Sequence, residues 1–459
     1  MIIKPWGFKI WERIKSCLNT AIEDTGHENC YFPLFLPLDL IAKEAEHVDG
    51  FAKEMAVVTH HRLEQQADGS LEPAGELDSP LVVRPTSEAM ITPTIARWIQ
   101  SYRDLPILLN QWANVVRWEM RPRPFLRTSE FLWQEGHTAH ETKQEAVNET
   151  LKMINVYRDF VQNIMAIPVI VGTKSPGERF PGAVDTYTIE AMMQDGKALQ
   201  SGTSHNLGQN FAKAAKMEFQ GRDGSMQTAY TTSWGVSTRL IGAAIMVHSD
   251  DDGLRLPPRL APHQIVILPI IRKDGEQESV MDACESLRVQ LERQSFSDEK
   301  LRVFIDSKNT GSGKRWNWIK KGVPLIVEVG MRDIEKGSVA IHSRAKVGER
   351  PTFIDQNDFV FSASTMLAEC QDKMFASAKQ YMSDMTNTNI ETFEEMSKFF
   401  DNNTGFVRAK WCEDPKTEDT LKELGIAIRC LPEDQSGTVG RCVISGMEAT
   451  TDAIFGKSY

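Results

Sequence analysis

The sequence predicts an α+β protein of more than one domain: an N-terminal antiparallel sheet flanked by helices, an α/β domain after it, and a small α+β C-terminal domain. Three observations carry this expectation. The chain has 459 residues, more than one hydrophobic core usually organises. Up to Trp234, strand-like segments cluster between helices without strict strand–helix alternation, which favours antiparallel pairing. After Pro257, Pro258 and Pro262 the pattern becomes strand, helix, strand, strand, as in a parallel or mixed sheet. The expected domains are residues 1–257, 258–365 and 366–459.

Each element has its own warrant. Ile10, Trp11, Ile14, Leu18, Ala21 and Ile22 recur at helical spacing, and Gly26 marks a stop. Cys30 to Pro37 reads as an apolar strand whose prolines suit an edge or interface. The polar stretch 64–79 reads as a solvated loop. LVVR (81–84) is a short strand, and Ser87 is placed to cap a helix carrying Ile91, Ile95 and Ile99. NVVRWE (114–119) and FLWQEGHTAH (131–140) read as strands joined by an Arg/Pro-rich loop. Val147, Leu151, Ile154, Tyr157, Val161 and Ile164 mark one face of a long helix. Strands are expected at 168–172, 185–193, 198–207 and 228–234, then a helix with Leu240, Ile241, Ala244, Ile245 and Val247. In the second domain, QIVILPI (264–270), 302–305 and 325–329 read as strands, with a helix through Val280, Cys284, Leu287 and Leu291. A Met-rich helical stretch follows from about 361 and leads to a segment ending GKSY.

Composition excludes more than it assigns. With 41% apolar and 25% charged residues the chain is ordinary for a soluble globular protein. It contains no run of eighteen uncharged apolar residues, and its first residues lack the apolar core of a signal peptide. Seven scattered cysteines fit reduced thiols and a cytoplasmic location. A net charge of −11 argues against a general polyanion binder but leaves room for a local basic surface that meets RNA.

The chemistry concentrates in VVRWEMRPRPFLRTSEFLWQEGH (115–137). Arg117 and Arg127 stand on either side of a hairpin, with Glu119 and Phe131 nearby. Arginine forks bind phosphate oxygens bidentately. A carboxylate can accept from an amino group, and a phenyl face can stack on a purine. The set would hold a nucleotide without a GxxxxGK[ST] loop, which is absent. The plainer alternative is a surface hairpin laced by Arg–Glu pairs. Elsewhere, Thr-Ser-Glu at 86–88 also reads as a helix capping box, and Trp133 as a core residue. His137 and His140 point to opposite faces of a strand, so they do not make a metal pair.

This stretch resembles motif 2 of the class II aminoacyl-tRNA synthetases, in which Arg-x-Glu leads through a loop to Arg-x-x-x-Phe. SWGVSTR (233–239) resembles their third motif, with Arg239 at a helix start. Residues 7–37 resemble the first, with Pro33 at the position of a dimer-interface proline. RPTSE (84–88), FLRTSEFLWQEGHTAH (125–140), QSGTSHNLGQNF (200–211), LPPRLAPHQ (256–264) and the terminal Tyr459 are similar to prolyl-tRNA synthetase sequences of the archaeal- and eukaryotic-like branch. The span from His140 to Trp234 leaves no room for the large editing insertion of many bacterial forms. The chain starts close to the first motif, where the family generally carries an upstream segment.

The resemblance implies a class II synthetase fold, a homodimer, and a two-step ligation that uses ATP with Mg²⁺, L-proline and tRNA(Pro). It assigns Arg117 to the α-phosphate and the proline carboxylate, and Arg127 and Arg239 to the outer phosphates. Glu119 and Phe131 go to adenine, while Gln200 and Thr203 lie near the nucleotide. Thr86 and Glu88 face the imino group, and Trp133, Glu135, His137 and His205 shape the pyrrolidine pocket. Arg117 and Arg239 are the catalytic candidates.

KRWNWIKKGVPLIVEVGMRD (314–333) becomes part of an anticodon-binding domain, with Glu328 and Arg332, expected on one strand, reading splayed bases by their edges. Met331 stands where relatives usually have proline. In the last segment, zinc-bearing relatives have two pairs of cysteines. Here Cys412 and Cys442 match, but Thr417 and Ser445 replace the second member of each pair, so no structural zinc is expected. Two rival readings keep the fold: a paralogue that makes an adenylate without charging tRNA, and a non-catalytic RNA-binding protein. The motif arginines weigh against the second and the intact second domain against the first.

Overall fold

The computed structural model describes residues 1–42, 54–273, 275–308 and 313–459. Its main feature is an eleven-stranded sheet. Ile107–Val116, Glu130–His140, Tyr230–Ser237, Ala198–Gly208, Asp185–Met192 and Val169–Thr173 lie side by side in that order, all antiparallel. Glu28–Asn29 adds a parallel edge beside Ile107–Val116.

Helices cover one face of this sheet because their apolar stripes match it. Pro5–Glu23 starts with proline in its first turn, where the missing N–H is not needed, and buries Ile10, Trp11, Ile14, Leu18 and Ile22. Lys143–Asn163 starts with a reciprocal capping box between Thr142 and Glu145 and buries Met153, Ile154, Tyr157 and Val161. With Arg239–His248 they form one core together with Ile189, Leu199, Trp234 and Val236 of the sheet. The opposite face is left for the site.

Four local expectations change. The stretch 64–79 is mostly strand: Ala56–Gln65 and Leu71–Val83 form an exposed antiparallel hairpin. Its turn is closed by Gly69 at positive φ and by Asp68, which accepts from the Ser70 amide. Polarity correctly indicated solvation there, but ladder hydrogen bonds form in water-exposed hairpins too. Within 30–37 only Phe35–Pro37 pairs, as the edge of the sheet that includes the hairpin. The strand at 107 ends at Val116, so Arg117 and Glu119 lie in the loop beyond it. Ser87 precedes the helix Glu88–Ala96 but does not cap it with its side chain; its hydroxyl goes to Glu135.

A separate five-stranded sheet runs Val303–Ile305, Ile265–Ile270, Leu325–Gly330, Ser338–Ser343, Thr352–Asp355. Its first two pairings are parallel and the others antiparallel, as strand–helix alternation requires for the first three. Glu328 lies on Leu325–Gly330, whereas Arg332 is on the short helix Met331–Lys336 and not on the strand. Met331 opens that helix, the position where a proline's fixed φ is pre-organised, so methionine there keeps the backbone course.

The long helix Gln356–Asp384 leads to the last unit. Apart from the short antiparallel ribbon of Gly440–Arg441 with Glu448–Ala449, its strands do not form a sheet of their own. Ala427–Pro432 pairs with Val169–Thr173, and Thr451–Gly456, Phe406–Trp411 and Thr386–Asn387 continue from it, so the N-terminal and C-terminal parts of the chain share one sheet.

Candidate active site

On the open face of the sheet lies a cavity of about 300 Å³. Strand register decides which side chains reach it. Directly paired residues share a face, so His137, Ser233, His205 and Thr186 form one row across four strands. Glu135, Gly235 and Thr203 form the row beside it. The intervening residues face the helices: Gln134 meets the Tyr157 hydroxyl, and Thr138 bonds to His140 and Thr232.

Every residue expected at the nucleotide or the amino acid lines this cavity: Thr86, Glu88, Arg117, Glu119, Arg127, Phe131, Trp133, Glu135, His137, Gln200, Thr203, His205 and Arg239. Trp133 is thus a wall of the cavity as well as a packing residue.

Glu135 is the hub of one end. Ser87 donates to its Oε1 at 2.6 Å and Gln111 at 2.7 Å, while His137 Nε2 lies 3.0 Å from Oε2. Burial opposes its ionisation, but the bonds from His137, Ser87 and Gln111 outweigh burial and hold the carboxyl below its ordinary range. Burial likewise opposes charge on His137, and its bond to Glu135 prevails, raising its pKa. Glu88 is the carboxylate with acceptor capacity to spare. Its one hydrogen-bond donor among the described residues is the Thr86 hydroxyl.

His205 carries no charge at neutral pH. Burial, His137 and Arg117 push its pKa down to about 3. Its Nδ1 lies 3.1 Å from the Thr186 hydroxyl and its ring stacks on Phe180 at 4.5 Å. Phe180 is a wall residue that sequence reading missed. It sits in an irregular segment, KSPGERFPGA, with no periodicity to reveal it.

The other end is cationic. Arg127 Nη1 lies 3.8 Å from Glu119 Oε2. Arg239 donates to the backbone oxygens of Leu126 and Gln200. Burial, with repulsion from Arg127 and Arg117, lowers its pKa to about 10. Arg117 stands between the two ends. Its guanidinium carbon is 5.6 Å from both the Phe131 and Trp133 ring centres, and its Nε donates to the Pro85 oxygen. Burial lowers its pKa while Glu88, Glu54 and Glu135 oppose that. Arg127 and Arg239, with Glu119 beside Arg127, make this end of the cavity suited to a polyanion. Tyr459 meets this end through Arg127: its backbone oxygen accepts from Arg127 at 3.1 Å, and Lys197 lies 4.9 Å from its ring centre.

Glu328 and Arg332 are not in this cavity. Glu328 pairs with Arg315 at 3.1 Å and His342 at 3.4 Å, and the bond from His342 leads the causes that lower its pKa. Arg332 is exposed. In the last unit, Cys412 Sγ lies 3.4 Å from Ser445 Oγ, and the Ser445 amide donates to Cys442 Sγ. Thr417 turns away to accept from the Trp411 indole. Among the described residues, no group of three or more His, Cys, Asp or Glu side chains is arranged to hold a metal ion. No helix among them is long and apolar enough to cross a membrane.

Residues 72–248 match the tRNA synthetase class II core domain (G, H, P, S and T), residues 264–354 the anticodon binding domain, and residues 393–459 the prolyl-tRNA synthetase C-terminal domain. The chain is 56% identical to the proline–tRNA ligase of Protochlamydia amoebophila and 55% identical to that of Paramagnetospirillum magneticum. Each alignment covers 100% of this chain and 92% of the relative. Prolyl-tRNA synthetase from Cryptosporidium parvum, complexed with halofuginone and AMPPNP, superimposes with a TM-score of 0.89 at 37% identity, covering 100% of this chain and 93% of that one. The same enzyme complexed with L-proline and AMP gives 0.89 at 36% identity, covering 100% and 90%.

Proposed function

This chain belongs to the prolyl-tRNA synthetase family of class II aminoacyl-tRNA synthetases, the ATP-dependent proline–tRNA ligases, and we propose that its cavity performs the activation step with the residues just described. One observation carries the assignment of roles: Arg117 lies between a cationic end and an end that holds a spare carboxylate.

In that reading ATP enters as its magnesium complex, the metal being part of the substrate and bound through phosphate oxygens. Arg127 and Arg239 hold the outer phosphates. Phe131 and Glu119 take adenine, the ring by stacking and the carboxylate from the amino group, with Gln200 and Thr203 beside the nucleotide. Glu88, with Thr86, pairs with the secondary ammonium of proline. Trp133, His137 and His205 enclose the ring, and Glu135 fixes His137.

Arg117 then offsets the repulsion between the proline carboxylate and the α-phosphate. A carboxylate oxygen attacks α-phosphorus, the bond to the β-phosphate bridge oxygen breaks, and pyrophosphate leaves. In the second step the terminal ribose hydroxyl of tRNA attacks the prolyl carbonyl, losing its proton, and AMP leaves. Neither step needs a covalent enzyme intermediate; positioning and charge stabilisation supply the acceleration.

Glu328 and Arg332 are the proposed readers of the anticodon of tRNA(Pro). Arg332 is exposed, with no hydrogen-bond or ion-pair partner among the described residues, while Glu328 would have to exchange its ties to Arg315 and His342 for a base edge. The proposed domain limits remain 1–257, 258–365 and 366–459. A cytoplasmic homodimer completes the reading. The dimer is supported by exposed Tyr31, Phe35, Leu38 and Trp98 near the first motif, and a monomeric mass by light scattering would remove it.

Proline-dependent exchange of labelled pyrophosphate into ATP tests the reading directly. Exchange with proline far above other amino acids is expected; none from folded protein with Mg²⁺ would refute it.

A further inference from the structure

The wall of the amino-acid pocket that includes Phe180 is carried by an irregular segment, 174–184, between strands Val169–Thr173 and Asp185–Met192. Such a segment needs something to fix it, and the C-terminal unit supplies three ties in succession. Leu431 and Pro432 pair with Thr173 and Gly172. Lys174 Nζ, 2% exposed as a residue, donates to the Arg429 backbone oxygen at 2.7 Å and to Glu190 at 2.8 Å, while Arg429 donates to the other oxygen of Glu190 at 2.9 Å. Glu418, 6% exposed, then accepts from the Ser175 hydroxyl at 3.1 Å and packs its carboxylate against Gly177. A Cβ on Gly177 would lie 2.4 Å from a Glu418 carboxylate oxygen, so this contact is made against bare backbone.

The turn held this way, Pro176–Glu178, leads within two residues to Phe180. The Phe180 amide donates to Thr186 Oγ1 at 3.0 Å, and the same Thr186 hydroxyl meets His205. Glu178, Arg179, Phe180, Thr186 and His205 all line the cavity. A continuous set of contacts therefore runs from Glu418 to the residue stacked on His205. The cost of keeping Glu418 is visible. Its Oε1 is buried without a hydrogen-bond partner among the described residues, and burial raises its pKa. A surface helix such as Lys416–Glu423 has no folding need for a buried carboxylate at this position.

We propose that Glu418 is a positioning residue for the amino-acid pocket: from the C-terminal unit it holds the Ser175–Gly177 turn and thereby sets Phe180 against His205. The inference rests on the assignment of this end of the cavity to proline. It gives the C-terminal unit a part in amino-acid binding that needs no metal.

The test is pyrophosphate exchange with wild type, Glu418→Gln, Glu418→Ala and Ser175→Ala, measuring kcat and the KM values for proline and ATP. Glu418→Ala should raise the proline KM about 10-fold and leave kcat and the ATP KM within about 2-fold, the pattern of lost ground-state positioning. Glu418→Gln keeps the acceptor and should restore the proline KM to within about 3-fold of wild type. Ser175→Ala loses one tie and should raise the proline KM about 3-fold, which keeps the test open if Glu418→Ala does not fold. Proline and ATP KM rising together, or an unmoved proline KM in both Glu418→Ala and Ser175→Ala, would overturn the proposal. Absence of proline-dependent exchange in wild type would overturn the functional reading itself, and the two failures are thereby distinguished.

Discussion

At the scale of single residues, what matters is how many partners a charged group already has. Glu135 receives Ser87, Gln111 and His137 and has little left for a ligand, which is why the role proposed for it is to orient His137. Glu88, two residues from the Thr86 hydroxyl, has that hydroxyl as its one hydrogen-bond donor among the described residues. In the proposed activation step Arg117 serves both ends of the cavity. Arg117→Ala should lower proline-dependent pyrophosphate exchange by roughly 10²-fold or more, as for loss of one preorganised donor; a near-wild-type rate would mean that the roles are wrongly assigned. These thirteen cavity residues could be named from the sequence because they fall in compact motifs. Phe180 could not, because stacking on His205 is a long-range contact with no local pattern.

At the scale of the strand, alternation determines consequences that residue identity hides. Gly136 and Gly235 are near neighbours on paired strands, yet they face opposite ways. A Cβ on Gly136 would sit 2.0 Å from Trp234 Cζ2 in the core. Gly136→Ala should therefore destabilise the fold by about 1–3 kcal/mol or more, the usual cost of overpacking, measured by urea unfolding. Gly235 belongs to the row of Glu135 and Thr203 and borders the cavity. A Cβ on Gly235 would lie 3.2 Å from the Gln134 backbone oxygen, so Gly235→Ala should lose less stability than Gly136→Ala but impair activation. Equal stability losses in the two variants would show that the register is misread.

At the scale of the molecule, two properties follow from the whole arrangement. Burial lowers the pKa of His27, His140, His248 and His263 to about 4 and that of His205 to about 3, from an ordinary value of 6.5. The unfolded chain takes up protons on these imidazoles near pH 6.5, and the folded chain does so only near pH 4. The stability they contribute is present above 6.5 and is lost as pH falls through that window. The urea midpoint should accordingly drop steeply between pH 6.5 and 4; a flat midpoint would mean that these rings protonate as freely as exposed ones. The second property concerns fidelity. The described residues between His140 and Trp234 form the helix Lys143–Asn163 and the central strands, and no separate unit is inserted there. Alanine lacks only a few methylenes of proline, a difference worth about 1–3 kcal/mol each. The protein should activate alanine measurably and should not deacylate Ala-tRNA; rapid release of alanine from Ala-tRNA by the pure protein would contradict this.

The motif arginines, the helix faces, the antiparallel character of the first sheet and the strand–helix alternation of the second are all legible in the order of residues along the chain. Those features rest on local periodicity and on residues adjacent in the chain. The departures are also local. The 64–79 hairpin has the polarity of a loop because its strands bury little, and the helix that holds Arg332 has only six residues, too few to show a period of its own. Only the tertiary structure decided that Leu431 pairs with Thr173, that Arg429 meets Glu190 and that Glu418 reaches Ser175. Each of these joins residues more than two hundred positions apart, and a one-residue shift of register in Ala427–Pro432 would have turned Arg429 and Leu431 to the other face.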